Sequence, residues 1–281
     1  WTETSDPYAI LAHRLGRTHR VAVDDHMWAS KVLALRTAMP ETEQVAGVQV
    51  LGHVRMRKGP DEIEALREAG AAIDVVHRQV PTWLRAGRTE REVGADIARG
   101  ILDAGHRTVD FVIVGSGPNG ASPHHELSNR VIEAGDVVVV DIGGTMPSGY
   151  CSDSTRTYLL GDGPEPGYYA ALEQAQATAV SAVRPGITCE ALDAVGRDML
   201  SEAGWGEWFI HRTGHGIGLD THEEPYIVAG NTLALEPGMA FSIEPGVYLA
   251  GQHGARIEDI VVCGEQGAIV CNNTPHELVR V

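Results

Sequence analysis

At 281 residues the chain has room for about two domains and a substantial core. Hydrophobic residues at 43% and charged residues at 21% exclude a wholly disordered or collagen-like chain, and no apolar run approaches the roughly 18 residues of a membrane span. Twenty-two basic against 38 acidic residues give a net charge of −16, a field that repels a phosphate backbone and argues against nucleic acid as a partner.

Four cysteines, Cys151, Cys189, Cys263 and Cys271, contain no CxxC pair and predict a reduced, cytoplasmic protein. The start at Trp1, without Met, basic n-region or apolar h-region, carries no secretory signal and fits a trimmed chain. Residues 1–54 predict a short amphipathic stretch at 8–15, an apolar patch at 21–23 and a helix over 27–39, too little for a complete α/β layer. A basic linker then feeds a helix with Pro60 at its first position and Asp61 and Glu62 facing the positive dipole end. Ile63, Leu66, Ala69, Ile73, Val76 and Val80 keep the spacing of one buried face, and Pro81 is expected to stop the helix. The domain boundary is placed near residue 55.

Thr89 and Glu92 form a capping box that opens a second helix, which closes at Gly105. An internal similarity follows at an offset of 99: Leu84-Arg-Ala-Gly-Arg-Thr-Glu matches Val183-Arg-Pro-Gly-Ile-Thr-Cys, and Asp103-Ala-Gly matches Glu202-Ala-Gly. Each copy continues into a strand-like segment, 108–114 and 207–211, so two related halves are predicted.

Residues 136–142 read as a buried strand and 146–149 as a turn before a second strand, 151–160. A turn centred on Pro147 sets Asp141 opposite Asp153. The second half repeats the arrangement: strands 239–248 and 255–262 flank a loop centred on Gly251, which sets Glu244 opposite Glu258. Opposed carboxylates repel, so a fold that keeps them inside apolar strands needs shared protons or cations; the alternative is a solvated acidic face. Between the hairpins lie His211, His215 and His222 among glycines, at spacings that fit neither a zinc finger nor an HExxH helix. Four carboxylates and one of these imidazoles make a hard, oxygen-rich ligand set suited to two divalent ions such as Mn²⁺. Such a pair lowers the pKa of a bridging water, which points to amide or ester hydrolysis. Ser116 lacks a nucleophile-elbow pattern, and residues 115–120 lack the Lys of a phosphate loop.

With their flanks, these residues resemble the pita-bread dinuclear metallopeptidases, a family that includes methionine aminopeptidase, Xaa-Pro aminopeptidase and Xaa-Pro dipeptidase (prolidase). The family's ligand order is matched by Asp141 in Val-Val-Asp-Ile-Gly, Asp153 in Ser-Asp-Ser-Thr-Arg, His215 in Gly-His-Gly-Ile-Gly, Glu244 in Ile-Glu-Pro-Gly and Glu258 in Arg-Ile-Glu-Asp. The resemblance implies an α+β pita-bread fold with an internal pseudo-two-fold over residues 55–281, preceded at 1–54 by part of a smaller N-terminal α/β domain. It implies two divalent ions, Mn²⁺ first with Co²⁺ or Zn²⁺ as alternatives, and Glu244 as both ligand and general base. His124, with His125 as adjacent competitor, falls at a substrate-binding position, and His222 at the position that contacts the scissile amide. His211, Tyr248 and Arg256 resemble further active-site positions of prolyl-specific members. The long form His-Arg-Thr-Gly-His-Gly-Ile-Gly-Leu-Asp-Thr-His resembles those members rather than methionine aminopeptidases. The implied activity is hydrolysis of Xaa-Pro dipeptides by a homodimer, with an Xaa-Pro aminopeptidase acting on longer peptides, or a non-catalytic pita-bread binding protein, as alternatives.

Overall fold

The structure, a computed structural model, describes residues 1–281. The chain divides into two compact units, Trp1–Arg55 and Met56–Val281. None of its helices is long and apolar enough to cross a membrane.

In the first unit, helix α1 (Pro7–Leu15) precedes strand β1 (Arg20–Val23), helix α2 (Ala29–Ala38), strand β2 (Glu43–Ala46) and helix α3 (Val48–Arg55). Strands β1 and β2 pair in parallel, Val21 beside Gln44 and Val23 beside Ala46. The sequence signals the first three elements. It hides β2, which opens on the polar pair Glu43-Gln44, and α3, which carries three valines and a glycine that favour helix poorly.

The second unit opens with α4 (Pro60–Trp83), whose Glu62 carboxylate accepts from the Gly59 N–H at 2.7 Å. The helix does not stop at Pro81 as its sequence predicts. Proline removes only the bond to the carbonyl four residues back, and that His77 carbonyl instead accepts from the Tyr158 hydroxyl at 3.2 Å. Helix α5 (Glu90–Asp103) follows with the expected capping box: the Glu92 N–H donates to Thr89 Oγ1 and the Thr89 N–H to the Glu92 carboxylate. Strands β3 (Thr108–Ser116), β4 (Val137–Thr145) and β5 (Cys151–Leu159) form an antiparallel sheet, extended beyond β5 by β13 (Val279–Arg280). The second half supplies α6 (Tyr169–Ala182) and α7 (Cys189–Glu202), then β6 (Gly214–Gly216), β7 (Glu223–Ile227), β8 (Ala240–Ile243), β9 (Gly246–Leu249), β10 (His253–Arg256), β11 (Asp259–Cys263) and β12 (Ala268–Val270). Its main sheet runs β12-β11-β8-β6-β7, and β9 and β10 pair separately.

The duplication is real in the backbone. Helices α5 and α7 start and end 99 residues apart with Thr89 and Thr188 as N-caps, and Gly87, Gly105, Gly186 and Gly204 hold positive φ at the same offset. Beyond the helices the offset grows to 103: Ile132, Val138 and Val140 in one core correspond to Leu235, Phe241 and Ile243 in the other. One expected strand is absent. Residues 207–211 are not extended, because Gly206–Trp208 forms a 3₁₀ turn that packs Trp208 on Trp205, and the strand of that copy is the later β6.

Where α4 crosses β5, His77 is fully enclosed. Its Nε2 donates to the Ser154 carbonyl at 3.1 Å, which leaves Nδ1 as an acceptor 3.0 Å from the Tyr158 hydroxyl, whose single proton it shares with the His77 carbonyl. Burial, helped by the Arg156 charge, brings its pKa down from 6.5 to about 3. Below pH 6.5 the unfolded chain takes up a proton that the folded chain refuses, so this contribution is full at neutral pH and fades as pH falls toward 3. At pH 5 the loss is about 2 kcal/mol. Urea unfolding of wild type and His77→Gln at pH 7 and pH 5 checks this: the variant should lack about 2 kcal/mol of the acid sensitivity, and equal sensitivity would contradict a neutral, buried His77.

Candidate metal centre

The two acidic hairpins place their carboxylates by different routes. In the first, Asp141 lies opposite Thr155 and Asp153 opposite Gly143, so the facing Asp141–Asp153 pair is not formed. Pro147 occupies the second position of a turn in which the Gly149 N–H donates to the Met146 carbonyl at 2.9 Å. Gly149 then adds a left-handed residue, φ +91°, and the loop centre moves from Pro147 to Ser148. Side chains alternate along a strand, so a two-residue slip leaves the face unchanged. Asp141, Asp153 and Thr155 therefore share one face, with the aspartates as diagonal neighbours.

The second hairpin keeps the expected register. Ile243 pairs with Asp259 and Gly246 with Arg256, which sets Glu244 opposite Glu258. Neither glutamate belongs to the ladder of its own hairpin, because Pro245 has no N–H and the pairing breaks there. The Glu244 N–H donates instead to the Thr213 carbonyl at 2.8 Å, and the Glu258 N–H to the Thr155 carbonyl at 3.1 Å. The break thus joins the second hairpin to β5 of the first half and brings the carboxylates of both halves together.

His215, on β6, completes the group. Its N–H donates to Ser242 Oγ at 3.0 Å, and that hydroxyl donates onward to Glu244 Oε1 at 3.1 Å. Its Nδ1 donates to the Gly216 carbonyl at 3.1 Å, so the lone pair of Nε2 points at Glu244 Oε1, 3.3 Å away, and Asp153 Oδ2, 3.7 Å away. Ligand atoms of Asp153, His215 and Glu258 all lie within 4.8 Å of one another.

This is a nest of acceptors with too few donors. Asp141 Oδ1 and Glu258 Oε1 are buried without any hydrogen-bond partner. Burial first, and neighbouring carboxylates next, push Asp153 and Glu258 well above the usual carboxylate range, and burial pushes Glu244 up to about 7. Burial brings His215 down to about 3, which keeps the imidazole neutral with its lone pair free. Crowded carboxylate oxygens, two of them orphaned, around a neutral imidazole nitrogen are the donor set of a hard divalent cation. The residues present fit a metal.

All five predicted ligands line one cavity of about 600 Å³, and His124, His211, His222 and Arg256 line it with them. His222 lies against His215 with ring centroids 4.0 Å apart and planes tilted by 33°, and burial, then the Arg212 charge, hold it below its usual basicity. Tyr248 stands behind the wall in a chain of hydrogen bonds. Arg256 donates through Nη2 to Asp141 Oδ2 at 2.5 Å and through Nη1 to the Tyr248 oxygen at 2.7 Å, and Tyr248 donates to His211 Nε2 at 2.8 Å. His125 turns away: its Nε2 donates to buried Glu90 at 2.8 Å, in a network with Ser116, Asn119 and Ser128. Of the adjacent histidines, only His124 lines the cavity.

Sequence reasoning misses three polar residues here. Thr155 donates to Glu258 Oε2 at 2.6 Å, Ser242 bridges His215 and Glu244, and Arg212 lines the cavity. The strand period could have found Thr155 and Ser242, each two positions from a predicted ligand on the same face. It also misses the apolar wall of Phe111, Ile113, Pro123 and Val228.

Residues 64–265 match the model of Metallopeptidase family M24. The chain is 55% identical over 284 residues to the "Probable dipeptidase PepE" of Mycobacterium bovis, covering 100% of this chain and 76% of the relative. It is 37% identical over 292 residues to the Xaa-Pro dipeptidase of Lactobacillus helveticus, covering 99% of this chain and 78% of that one. Among solved structures, the recombinant prolidase of Thermococcus sibiricus superposes with a TM-score of 0.94 at 39% identity, over 100% of this chain and 78% of the other.

Proposed function

The chain belongs to metallopeptidase family M24, and we propose that it hydrolyses Xaa-Pro dipeptides, with Asp141, Asp153, His215, Glu244 and Glu258 holding two divalent ions, Mn²⁺ in the first place. It is a metallopeptidase with the pita-bread fold. The observation that carries the proposal is the buried acceptor cluster: two orphaned carboxylate oxygens beside a neutral imidazole, at the floor of a cavity sized for a small peptide.

When bound, the ions supply Lewis-acid polarisation and a water of lowered pKa. The chain's own residues do the rest. Glu244, whose carboxylate takes a hydrogen bond from Ser242, accepts the proton of the attacking water. His222, exposed to the cavity beside His215, and His124 on the opposite loop donate to the oxygen and nitrogen of the collapsing amide. A peptide bond to proline is a tertiary amide without N–H, so it offers no donor for a strand-like grip, and the Phe111, Ile113, Pro123 and Val228 wall receives the ring by burial. Named relatives act in the same sense: the Lactobacillus helveticus protein is an Xaa-Pro dipeptidase and the Thermococcus sibiricus structure a prolidase. The same reading takes residues 1–54 as part of a smaller N-terminal domain, a homodimer as the assembled form and the cytoplasm as the place of work.

A panel of Ala-Pro, Met-Pro, Met-Ala and Ala-Pro-Ala, offered to metal-stripped protein with and without Mn²⁺, tests the proposal. Mn²⁺-dependent cleavage confined to Ala-Pro and Met-Pro is expected. Cleavage of Ala-Pro-Ala would assign an aminopeptidase, and folded, metal-loaded protein that cleaves none would overturn the enzymatic reading. Because His222 is a proton donor and not a ligand in this scheme, His222→Ala should lower kcat about 100-fold or more with metal content near that of wild type. An emptied site in that variant would remove His222 from this role.

A further inference from the structure

Glu90 is the first residue of α5, a residue type that ordinarily faces water, yet here it is fully buried. Five donors from one stretch of chain converge on its carboxylate. Oε1 accepts from the Ser116 N–H at 2.9 Å, the Ser116 hydroxyl at 2.7 Å and Asn119 Nδ2 at 3.0 Å, and Oε2 accepts from His125 Nε2 at 2.8 Å and the Ser128 hydroxyl at 2.6 Å. Burial alone would raise the pKa of this group, but the hydrogen bonds from Ser128, Ser116 and His125 outweigh it and hold the carboxyl below its usual range. An ionised carboxylate accepts and never donates, so the proton between it and His125 sits on Nε2.

The stretch so gathered belongs to the connection from β3 to β4, residues 117–136, whose regular structure is a 3₁₀ turn at Gly117–Ala121. Residues 128–130 dock on the start of α5 through the backbone: the Arg91 N–H donates to the Ser128 carbonyl and the Glu90 N–H to the Arg130 carbonyl, both at 3.1 Å. Between that dock and the turn, two side chains from elsewhere take hold of the loop. Arg256 donates to the Pro123 carbonyl at 3.3 Å, and Glu90 takes His125. His124 lies between the two pinned residues and lines the cavity. With its neighbours fixed on both sides, its ring keeps only its own side-chain torsions. We propose that Glu90 is a positioning residue: acting through His125, it fixes the loop so that His124 is aimed at the scissile amide. This rests on the reading of His124 as a donor to that amide, given above.

The test is a double-mutant cycle between His125→Ala and His124→Ala, with Mn²⁺-loaded enzyme and Ala-Pro as substrate. His125→Ala removes one donor from Glu90 and leaves those of Ser116, Asn119 and Ser128, so the fold is retained. Its kcat should fall about 10- to 100-fold with KM and metal content near wild type. Hydrogen–deuterium exchange across residues 117–127 should speed up about 10-fold. His125→Gln, whose amide can again donate to Glu90, should recover most of kcat. In the His124→Ala background, the same His125→Ala change should cost less than about twofold, because the group being aimed is gone. Equal losses in both backgrounds would mean that His125 only supports the fold nearby, and would overturn the proposal, as would unchanged exchange in the loop. Glu90→Ala should couple to His124 in the same way; if that variant does not fold, the His125 cycle decides. If wild type cleaves no Xaa-Pro dipeptide, the Xaa-Pro reading fails, and exchange then still decides whether the Glu90–His125 contact holds the loop.

Discussion

Glu244→Gln is expected to lower kcat for an Xaa-Pro dipeptide by about 1,000-fold or more, with the protein still folded. The substitution keeps the shape and the Ser242 hydrogen bond but removes the one carboxylate placed to do two tasks. Glu244 sits at the break between two paired stretches, its N–H held by Thr213 and one oxygen 3.3 Å from His215 Nε2. Its elevated pKa, about 7, arises first from burial, and Arg256 opposes the rise. Bound divalent ions would oppose protonation as Arg256 does, which keeps the carboxylate ionised at neutral pH and able to take the proton of a water. Steady-state kinetics with added Mn²⁺ reads the effect, and circular dichroism checks the fold. A variant retaining more than about a tenth of wild-type kcat would exclude Glu244 as the general base.

The second large effect is structural. Arg156→Met is expected to destabilise the chain by about 3–5 kcal/mol. Arg156 is 2% exposed and donates five hydrogen bonds: to the carbonyls of Thr155, Glu258, Thr274 and Pro275, and to Asp259 Oδ1 at 2.8 Å. The arginine ties β5 to the residue that carries Glu258 and to the segment before β13. Methionine fills much of the volume but leaves Asp259 with only Gln176 and His276, and takes a donor away from four carbonyls. Loss of one partner from a buried pair is costly because the remaining charge stays desolvated. Urea unfolding measures it, and Asp259→Asn added to Arg156→Met should recover part of the loss. A change below about 1 kcal/mol would mean that the pair contributes little beyond packing.

Much of this architecture is legible before any coordinates, because its signals are local. Capping at Thr89 and Thr188, glycines where φ must be positive, and one apolar face on α4 each follow from a few neighbouring residues. The register of the second hairpin is readable for the same reason, since its loop is symmetric about Gly251. The first hairpin is misread by two positions because a left-handed Gly149 adds a residue after the proline turn, which composition alone does not reveal. Pro81 misleads in the opposite sense: a distant hydroxyl, Tyr158, satisfies the carbonyl that the proline leaves open. The choice between His124 and His125 is likewise not local, being made by Glu90 of α5. Carboxylates that must converge can be found from pattern. Neutral and basic residues around them, Thr155, Ser242 and Arg212, acquire their roles only when distant segments meet.

The account stands most directly on metal stoichiometry. Isothermal titration of metal-stripped protein with Mn²⁺, with bound metal checked by elemental analysis after dialysis, should give two ions per chain in wild type and a loss of binding in Asp153→Ala, in step with the loss of Xaa-Pro hydrolysis. Folded wild-type protein that takes up no Mn²⁺, Co²⁺ or Zn²⁺ would contradict it, and the buried carboxylates would then have to be held together by shared protons.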